Sequence, residues 1–428
     1  MSGVPVPTGR EELVPYWQHV GALRQILEAQ GCLGLLLVDV SELARVEQSY
    51  GSSAFANVLG TAGDVLMELR GDIVRTTDIV AVNDRGGDAF LVFLSPKRQE
   101  GPLRISDIRS ASERVEDHLN RELVRLASPY IQGARHVTVG YALVFHNPLV
   151  LTERLISRLV DEARDCVRVH RRQQELQRRR WLQEVLLEDK LSTLFQPVFD
   201  LRQRTMLGYE ALTRGPSGTL FHMPLRLFEM ASESDLVFEL DRKCRRLALT
   251  ASRSLPRDAL VFVNVVPAAM YDPEFQGPAL LTLLSALDLT PDRIVLEITE
   301  KYAIENYSLF AQALGEFTRL GFQIAVDDVG AGYSGLEKIA HLNPRYLKFD
   351  RELIRDIDSS YIRREMTSAL KTFAERIGST IIAEGIEREE ELGALLELGI
   401  DYGQGFLLGR PAAMSSPPLL SSRPAAGW

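Results

Sequence analysis

The sequence predicts two α/β domains in one chain: a C-terminal β/α (TIM-like) barrel, preceded by a smaller α/β sheet domain and joined to it by a long connecting helix. Three observations predict this. At 428 residues the chain is longer than one ordinary core accommodates. From Leu194 onward short apolar stretches recur, separated mostly by helical ones, about eight strands in roughly 220 residues, as a β/α barrel requires. Between the halves, residues 152–191 hold neither proline nor glycine and carry apolar residues at helical spacing. A doubly wound sheet is the alternative for the second half.

Taken in order, residues 1–28 read as a short head, with one amphipathic helix from Trp17 to Gln30. A sheet domain is expected over 29–170, its last strand ending near residue 150. "LGLLLVDV" (33–40) is a buried strand by length and branching. "DIVAVNDRGGDAFLVFLS" (78–95) reads as two strands joined through the Gly- and Asp-rich "NDRGGD", and "HVTVGYALVF" (136–145) as another. In the connecting helix, 152–191, Leu155, Leu159, Ala163 and Val167 recur on one face, and Leu182, Val185 and Leu186 resume the pattern. Its basic run "RVHRRQQELQRRR" (168–180) suits a nucleic-acid or membrane patch, or a solvated interdomain or dimer helix. No aromatic residues interleave with the charge, which favours the solvated helix. The barrel is expected over 192–413, with strands in "TLFQPVF", "MLGYEALTRG", "LVFVNVVP", "RIVLEITE", "FQIAVDDVG", "YLKFD", "TIIAEGI" and "DYGQGFLLGRP". The tail, 414–428, is Pro- and Ser-rich and expected to be disordered.

Composition narrows the function. A net charge of −9 argues against nucleic acid as the main partner. Cys32, Cys166 and Cys244 lie far apart, which suits free thiols in a reducing compartment and excludes a thiolate zinc site. The N-terminus lacks an apolar run of signal-peptide length, and "GLLLV" is far too short to span a bilayer. A cytoplasmic protein without a membrane partner is expected.

The barrel reading makes a sharper statement. Reactive groups in that fold sit at the C-terminal ends of strands and converge on one mouth. Oxygen-bearing side chains fall there repeatedly: Glu210, Asn264, Glu297 with Glu300, Asp327 with Asp328, Glu384 with Glu387, and Gln404. One such acid is usually a cap or a turn residue. Several converging carboxylates repel each other and lose hydration, and a divalent cation is the compensator. Oxygen donors without His or Cys select Mg²⁺ or Mn²⁺ over Zn²⁺. Adjacent Asp327 and Asp328 could each face an ion, giving a two-metal site suited to phosphodiester hydrolysis. Lys348 either orients water and balances phosphoryl charge or pairs with Asp350. Arg214, four residues after Glu210, can grip a phosphate. Gly330, Gly332 and Gly335 make either a mobile loop braced by Glu300 or a tight turn.

These residues resemble the EAL family of cyclic di-GMP phosphodiesterases. The signature is "YEALTRG" (209–215), with Glu210, Ala211, Leu212 and Arg214 in place, and collinear blocks run from "LFQPVFDL" (194–201) to "GQGFLLGRP" (403–411). The resemblance implies a β/α barrel with one irregular strand. It implies Glu210, Asn264, Glu297 and Asp327 as metal ligands, with Asp328 and Glu384 serving a second Mg²⁺ or Mn²⁺ or its water. Lys348 would help activate that water, Gln404 support the site, Glu300 brace the loop and Glu387 stand behind the ligands. Gln196, Arg214 and Leu212 would line the dinucleotide, which would be opened to linear pGpG. Val329 and Gly335 depart from the commoner Phe and Ser. The first half resembles a diguanylate cyclase (GGDEF) domain through "LLLVDVSELARVEQSYG" and "RGGDAFLVFL". There Ala89 replaces a signature carboxylate, and Glu47 and Ala56 stand at base-reading positions, while Asp39, a possible metal ligand, is kept. The expectation is no cyclase activity, weak or absent GTP binding, and a regulatory or dimerisation role in a homodimer. A slow cyclic di-GMP sensor signalling through the helix is the alternative to an active phosphodiesterase.

Overall fold

The computed structural model describes residues 13–83, 88–94, 103–128, 130–131, 136–300, 307–330 and 336–414, with 307–311 described in backbone only. The chain divides into two compact units, Met1–Gln177 and Arg178–Trp428.

In the first unit, β1 (Cys32–Asp39), β2 (Ile79–Val82), β3 (Ala89–Leu94) and β4 (Thr138–Phe145) form one sheet in the order β2-β3-β1-β4. All its ladders are antiparallel. β1 lies in the interior of the sheet with helices on both faces, which is why it reads as an unbroken apolar run rather than alternating. Leu36 and Val38 join one core, with residues of α3 (Ser52–Glu68) and α4 (Ile105–Leu126). Leu33, Leu35 and Leu37 join the other, with α1 (Val20–Gln30) and α5 (Thr152–Leu187). A short helix, α2 (Ala44–Tyr50), precedes α3. The head helix expected from Trp17 starts as a 3₁₀ turn, Tyr16–His19, and becomes α-helical only at Val20. Residues 84–87, where most of the expected turn falls, lie outside the described residues, but β2 and β3 pair as that reading requires.

The connecting helix α5 stops at Leu187, before the expected Leu191. Asp189 turns into the left-handed region, with φ of 53°, and the chain swings into the barrel. Leu155, Leu159, Ala163 and Val167 pack on the sheet. Gly140 of β4 is required for this approach, since a Cβ there would come within 2.4 Å of the Ala163 carbonyl oxygen. Further on, Leu182 and Val185 are buried with residues of α6 (Pro224–Glu233) and α7 (Val237–Ala251) in the second unit. Between these apolar ends the basic run is largely exposed and pairs locally, Arg168 with Asp165 at 2.9 Å and Arg172 with Glu175 at 3.1 Å.

The second unit is a closed barrel of eight strands: β5 (Ser192–Asp200), β6 (Thr205–Arg214), β7 (Leu260–Asn264), β8 (Ile294–Thr299), β9 (Gln323–Val329), β10 (Tyr346–Phe349), β11 (Thr380–Ala383) and β12 (Tyr402–Gly403). β5 is the irregular strand, antiparallel to both neighbours, while the other ladders are parallel. Strand residues alternate between two environments. Val261, Val263, Leu296, Val326 and Leu347 face the surrounding helices. Val198, Phe262, Val295, Ala325, Tyr346 and Ile382 fill the barrel interior. This plug is the floor on which the polar layer stands.

Candidate active site at the barrel mouth

On the parallel strands β7 to β11, two residues beyond each inward plug residue, the strand period returns a side chain to the interior. That step leads from Phe262 to Asn264, from Val295 to Glu297, from Ala325 to Asp327, from Tyr346 to Lys348 and from Ile382 to Glu384. Glu210 on β6 pairs with Phe262 in the ladder, but its carboxylate reaches the polar layer, 3.2 Å from Asn264 Nδ2 and 3.3 Å from Lys348 Nζ. One strand periodicity therefore builds both the plug and the polar layer above it.

Lys348 is the hub. Its side chain is 1% exposed, and Nζ lies 2.7 Å from Glu384 Oε1, 2.8 Å from Glu297 Oε1, 3.3 Å from Glu210 Oε2 and 3.4 Å from Asp327 Oδ1. The alternative pairing with Asp350 is not formed: Asp350 caps the following helical turn, accepting from Glu352 N at 2.7 Å. One ammonium faces four carboxylates, and Asp328 stands beside them. Burial pushes the Glu297 and Glu384 carboxyls well above the usual range, and neighbouring acids add to it. Asp327 is raised for the same reasons, and Asp328 rises to about 6 by burial and by the charge of Asp327. Glu210 goes the other way. Burial opposes its ionisation, but the Lys348 charge and hydrogen bonds from Gln404, Lys348 and Asn264 outweigh it. Lys348 itself is buried, which favours loss of its proton, yet the surrounding acids hold it well above the usual lysine range.

This donor set fits divalent cations. Carboxylate oxygens of Glu210, Glu297 and Asp327 lie within 4.8 Å of one another, and so do those of Asp327, Asp328 and Glu384. Both Glu297 oxygens are buried without an aligned hydrogen-bond donor among the described residues. Two oxygen clusters that share Asp327, with more carboxylates than the one ammonium balances, suit hard divalent cations.

The amides order the rim. Asn264 Nδ2 donates to Glu210 Oε1 at 3.2 Å, and Gln404 Nε2 donates to Glu210 Oε2 at 2.6 Å and to Gln196 Oε1 at 2.9 Å. Gln196 Nε2 in turn donates to the Gly409 carbonyl at 3.0 Å. Leu212, two residues beyond Glu210, is half-buried near the end of β6. Arg214 closes β6 and donates to the Thr213 carbonyl at 2.8 Å, and burial lowers its pKa. Glu300 is buried, and its Oε2 accepts from Gly330 N at 3.2 Å. Gly330 has φ of 101°, and a Cβ there would meet Leu353 at 2.3 Å, so this glycine is a requirement. Gly332 and Gly335 lie outside the described residues. Val329 is buried in the outer core at the end of β9. Glu387 is not in the acid cluster; it pairs with Arg351 at 3.1 Å.

Sequence reasoning missed the buried network of Asp241, Arg245 and Asp272. The four-residue spacing of Asp241 and Arg245 on α7 is that of any helical ion pair and carries no sign of burial. In the first unit it also missed Arg171 of α5. This guanidinium donates to Asp39 Oδ1 at 2.8 Å, to Ser41 Oγ at 3.1 Å and to Thr138 Oγ1 at 3.4 Å. Asp39 thus has a cation of this chain as partner, and directly across the ladder stands Ala89, without a carboxylate.

A family model described as the EAL domain matches residues 179–411, more than half of the chain. Signaling protein YkoW of Bacillus subtilis is 28% identical over 237 residues, 54% of this chain and 29% of its own length. Cyclic di-GMP phosphodiesterase PdeR of Escherichia coli is 27% identical over 405 residues, 89% of this chain and 57% of its own. The chain thus spans less than two thirds of either relative. A solved structure described as "PaMucR Phosphodiesterase, c-di-GMP complex" superposes with a TM-score of 0.51 at 26% identity, covering 55% of this chain and 97% of that one. The barrel, its reversed first strand and the acids at its mouth agree with that match, and the chain belongs to the EAL domain family.

Proposed function

We propose that this protein is a metal-dependent cyclic di-GMP phosphodiesterase that opens one phosphodiester to give linear pGpG. The observation that carries the reading is the polar layer itself: four carboxylates around Lys348 on one level of a barrel mouth. Glu210, Asn264, Glu297 and Asp327 would hold one Mg²⁺ or Mn²⁺, and Asp328 and Glu384, with Asp327, a second. Two such ions, when bound, would supply positive charge at the phosphodiester and lower the pKa of the attacking water.

The remaining steps belong to the chain. Lys348, held protonated by its acids, positions the attacking water and balances charge as the P–O bond breaks. Arg214, at the end of β6, grips the second phosphate, and Leu212 lines the floor beneath the dinucleotide. Gln404 and Gln196 fix the orientation of Glu210. Glu300 holds the start of the loop after β9 through Gly330 N, and Glu387 holds the segment after β11 through Arg351.

The first unit is read as a cyclase-like module without the chemistry. Support comes from Ala89 opposite Asp39, Glu47 engaged with Ser52 Oγ at 2.7 Å, and Arg171 on the carboxylate a metal would need. GTP binding there is weak or absent, and the unit serves regulation or pairing in a homodimer. No described helix is long and apolar enough to cross a membrane. Chromatography of cyclic di-GMP incubated with the protein and Mn²⁺ tests the proposal: pGpG is expected. Tight binding without conversion would make the protein a sensor instead.

A further inference from the structure

Helix α7 carries two charges that the proposed chemistry does not use. Asp241 is 2% exposed, Arg245 2%, and their partner Asp272 0%. Arg245 Nε donates to Asp241 Oδ2 at 2.6 Å, and Arg245 Nη2 to Asp272 Oδ2 at 2.9 Å. Arg242 adds a fork onto Asp272, with bonds of 2.9 and 2.7 Å. The Arg245 guanidinium lies 4.2 Å from the Phe275 ring centre. Ion pairs this deep cost several kcal/mol of desolvation, and apolar residues of similar volume often serve stability as well or better. Stability alone does not account for them.

What the network holds is the exit of β7. Beyond Asn264 the parallel ladder gives one more bond, Val265 N to the Glu297 carbonyl at 3.0 Å. The next donor, Val266 N, goes instead to Asp241 Oδ1 at 3.1 Å. The chain then turns through the 3₁₀ segment Pro267–Tyr271 and arrives at Asp272, the other end of the same ion network. Asp272 also accepts from Glu274 N at 3.0 Å, which fixes the turn that follows. Both ends of the segment leaving Asn264 are therefore bolted to α7 by one set of charges. Asn264 is the most exposed residue of its strand, and its amide must stay 3.2 Å from Glu210 Oε1 to serve the mouth.

We infer that Asp241 is a positioning residue for Asn264, acting through Val266 N, with Arg245 and Asp272 fixing its carboxylate. This rests on the reading of the mouth as a cation site. Loss of Asp241 frees the strand exit, lets the Asn264 amide drift and weakens ion binding without removing any ligand. Groups behind metal ligands typically carry about 10- to 100-fold in metal affinity.

The test is Mn²⁺ binding, followed through the electron paramagnetic resonance signal of free Mn²⁺, in the full chain and in Asp241→Ala, Asp241→Asn, Asn264→Ala and Asp241→Ala/Asn264→Ala. Circular dichroism first establishes which variants are folded at the assay temperature. Asp241→Ala is expected to weaken Mn²⁺ binding about tenfold. Asp241→Asn, which keeps an oxygen for Val266 N, should recover much of that loss. In the Asn264→Ala background, removing Asp241 should add little. Additive losses would overturn the inference, because they would mean that Asp241 acts on the fold and not through Asn264. An unchanged affinity in Asp241→Asn and Asp241→Ala, with Asn264→Ala weakened, would overturn it as well. If the parent chain bound no Mn²⁺, it is the cation reading of the mouth that would fail. Should Asp241→Ala not fold, Arg245→Met, which removes the group that fixes the Asp241 carboxylate, carries the same cycle.

Discussion

Lys348 holds together four carboxylates that would otherwise repel, three reaching it from different strands and the fourth, Glu384, from just beyond β11. Replacing it by Met leaves those acids without their internal cation. The variant is expected to lose turnover, to unfold at lower temperature without metal, and to recover more stability on adding Mg²⁺ than the parent does. Thermal unfolding with and without the ion checks this, and equal gains in both proteins would speak against it. Glu210 differs from the other acids in being held ionised by Gln404, Lys348 and Asn264. Glu210→Ala should therefore abolish hydrolysis of cyclic di-GMP while leaving the circular dichroism spectrum of the parent. Turnover at the parent rate would mean that this carboxylate is not a ligand. Ca²⁺, larger and less strict in geometry, is expected to bind without supporting hydrolysis.

At the scale of elements, strand periodicity ties stability to the site. Phe262 is fully buried in the plug, two residues before Asn264 and beside Glu210 in the ladder. Phe262→Ala should cost about 3–5 kcal/mol in denaturant unfolding and loosen the layer above it. Much of this was legible beforehand. The strand-end acids could be read because a strand repeats every two residues and because barrel chemistry gathers at one end. The reversed direction of β5 could not, since periodicity carries no sense of direction. Nor could the Asp241–Arg245–Asp272 network: a helical acid and base four apart look like a solvated pair until Asp272 arrives from beyond the next strand. The Arg171 clasp escaped because its partner lies 132 residues away in a run of arginines that reads as uniformly exposed. Arg171→Ala should speed amide hydrogen exchange in the middle of α5, where this ion pair ties the helix to the end of β1; unchanged exchange would reduce the pair to a surface contact.

On the scale of the whole molecule, one continuous helix supplies residues to the cores of two units, and only the second carries an intact cluster of acids among the described residues. In the first, the proposed reading is that Ala89, Glu47 and Arg171 act against the chemistry its sequence resembles. Restoring Ala89→Glu should yield no cyclic or linear dinucleotide from GTP, because the guanine contacts remain absent and Arg171 still occupies Asp39; product from that variant would refute the reading. The central claim concerns the barrel, and a direct test is single-turnover incubation of the full chain with cyclic di-GMP and Mn²⁺, the products separated by chromatography. The account predicts pGpG, formed by the parent and not by Glu210→Ala. Unconverted cyclic di-GMP with a folded, Mn²⁺-loaded protein would contradict it.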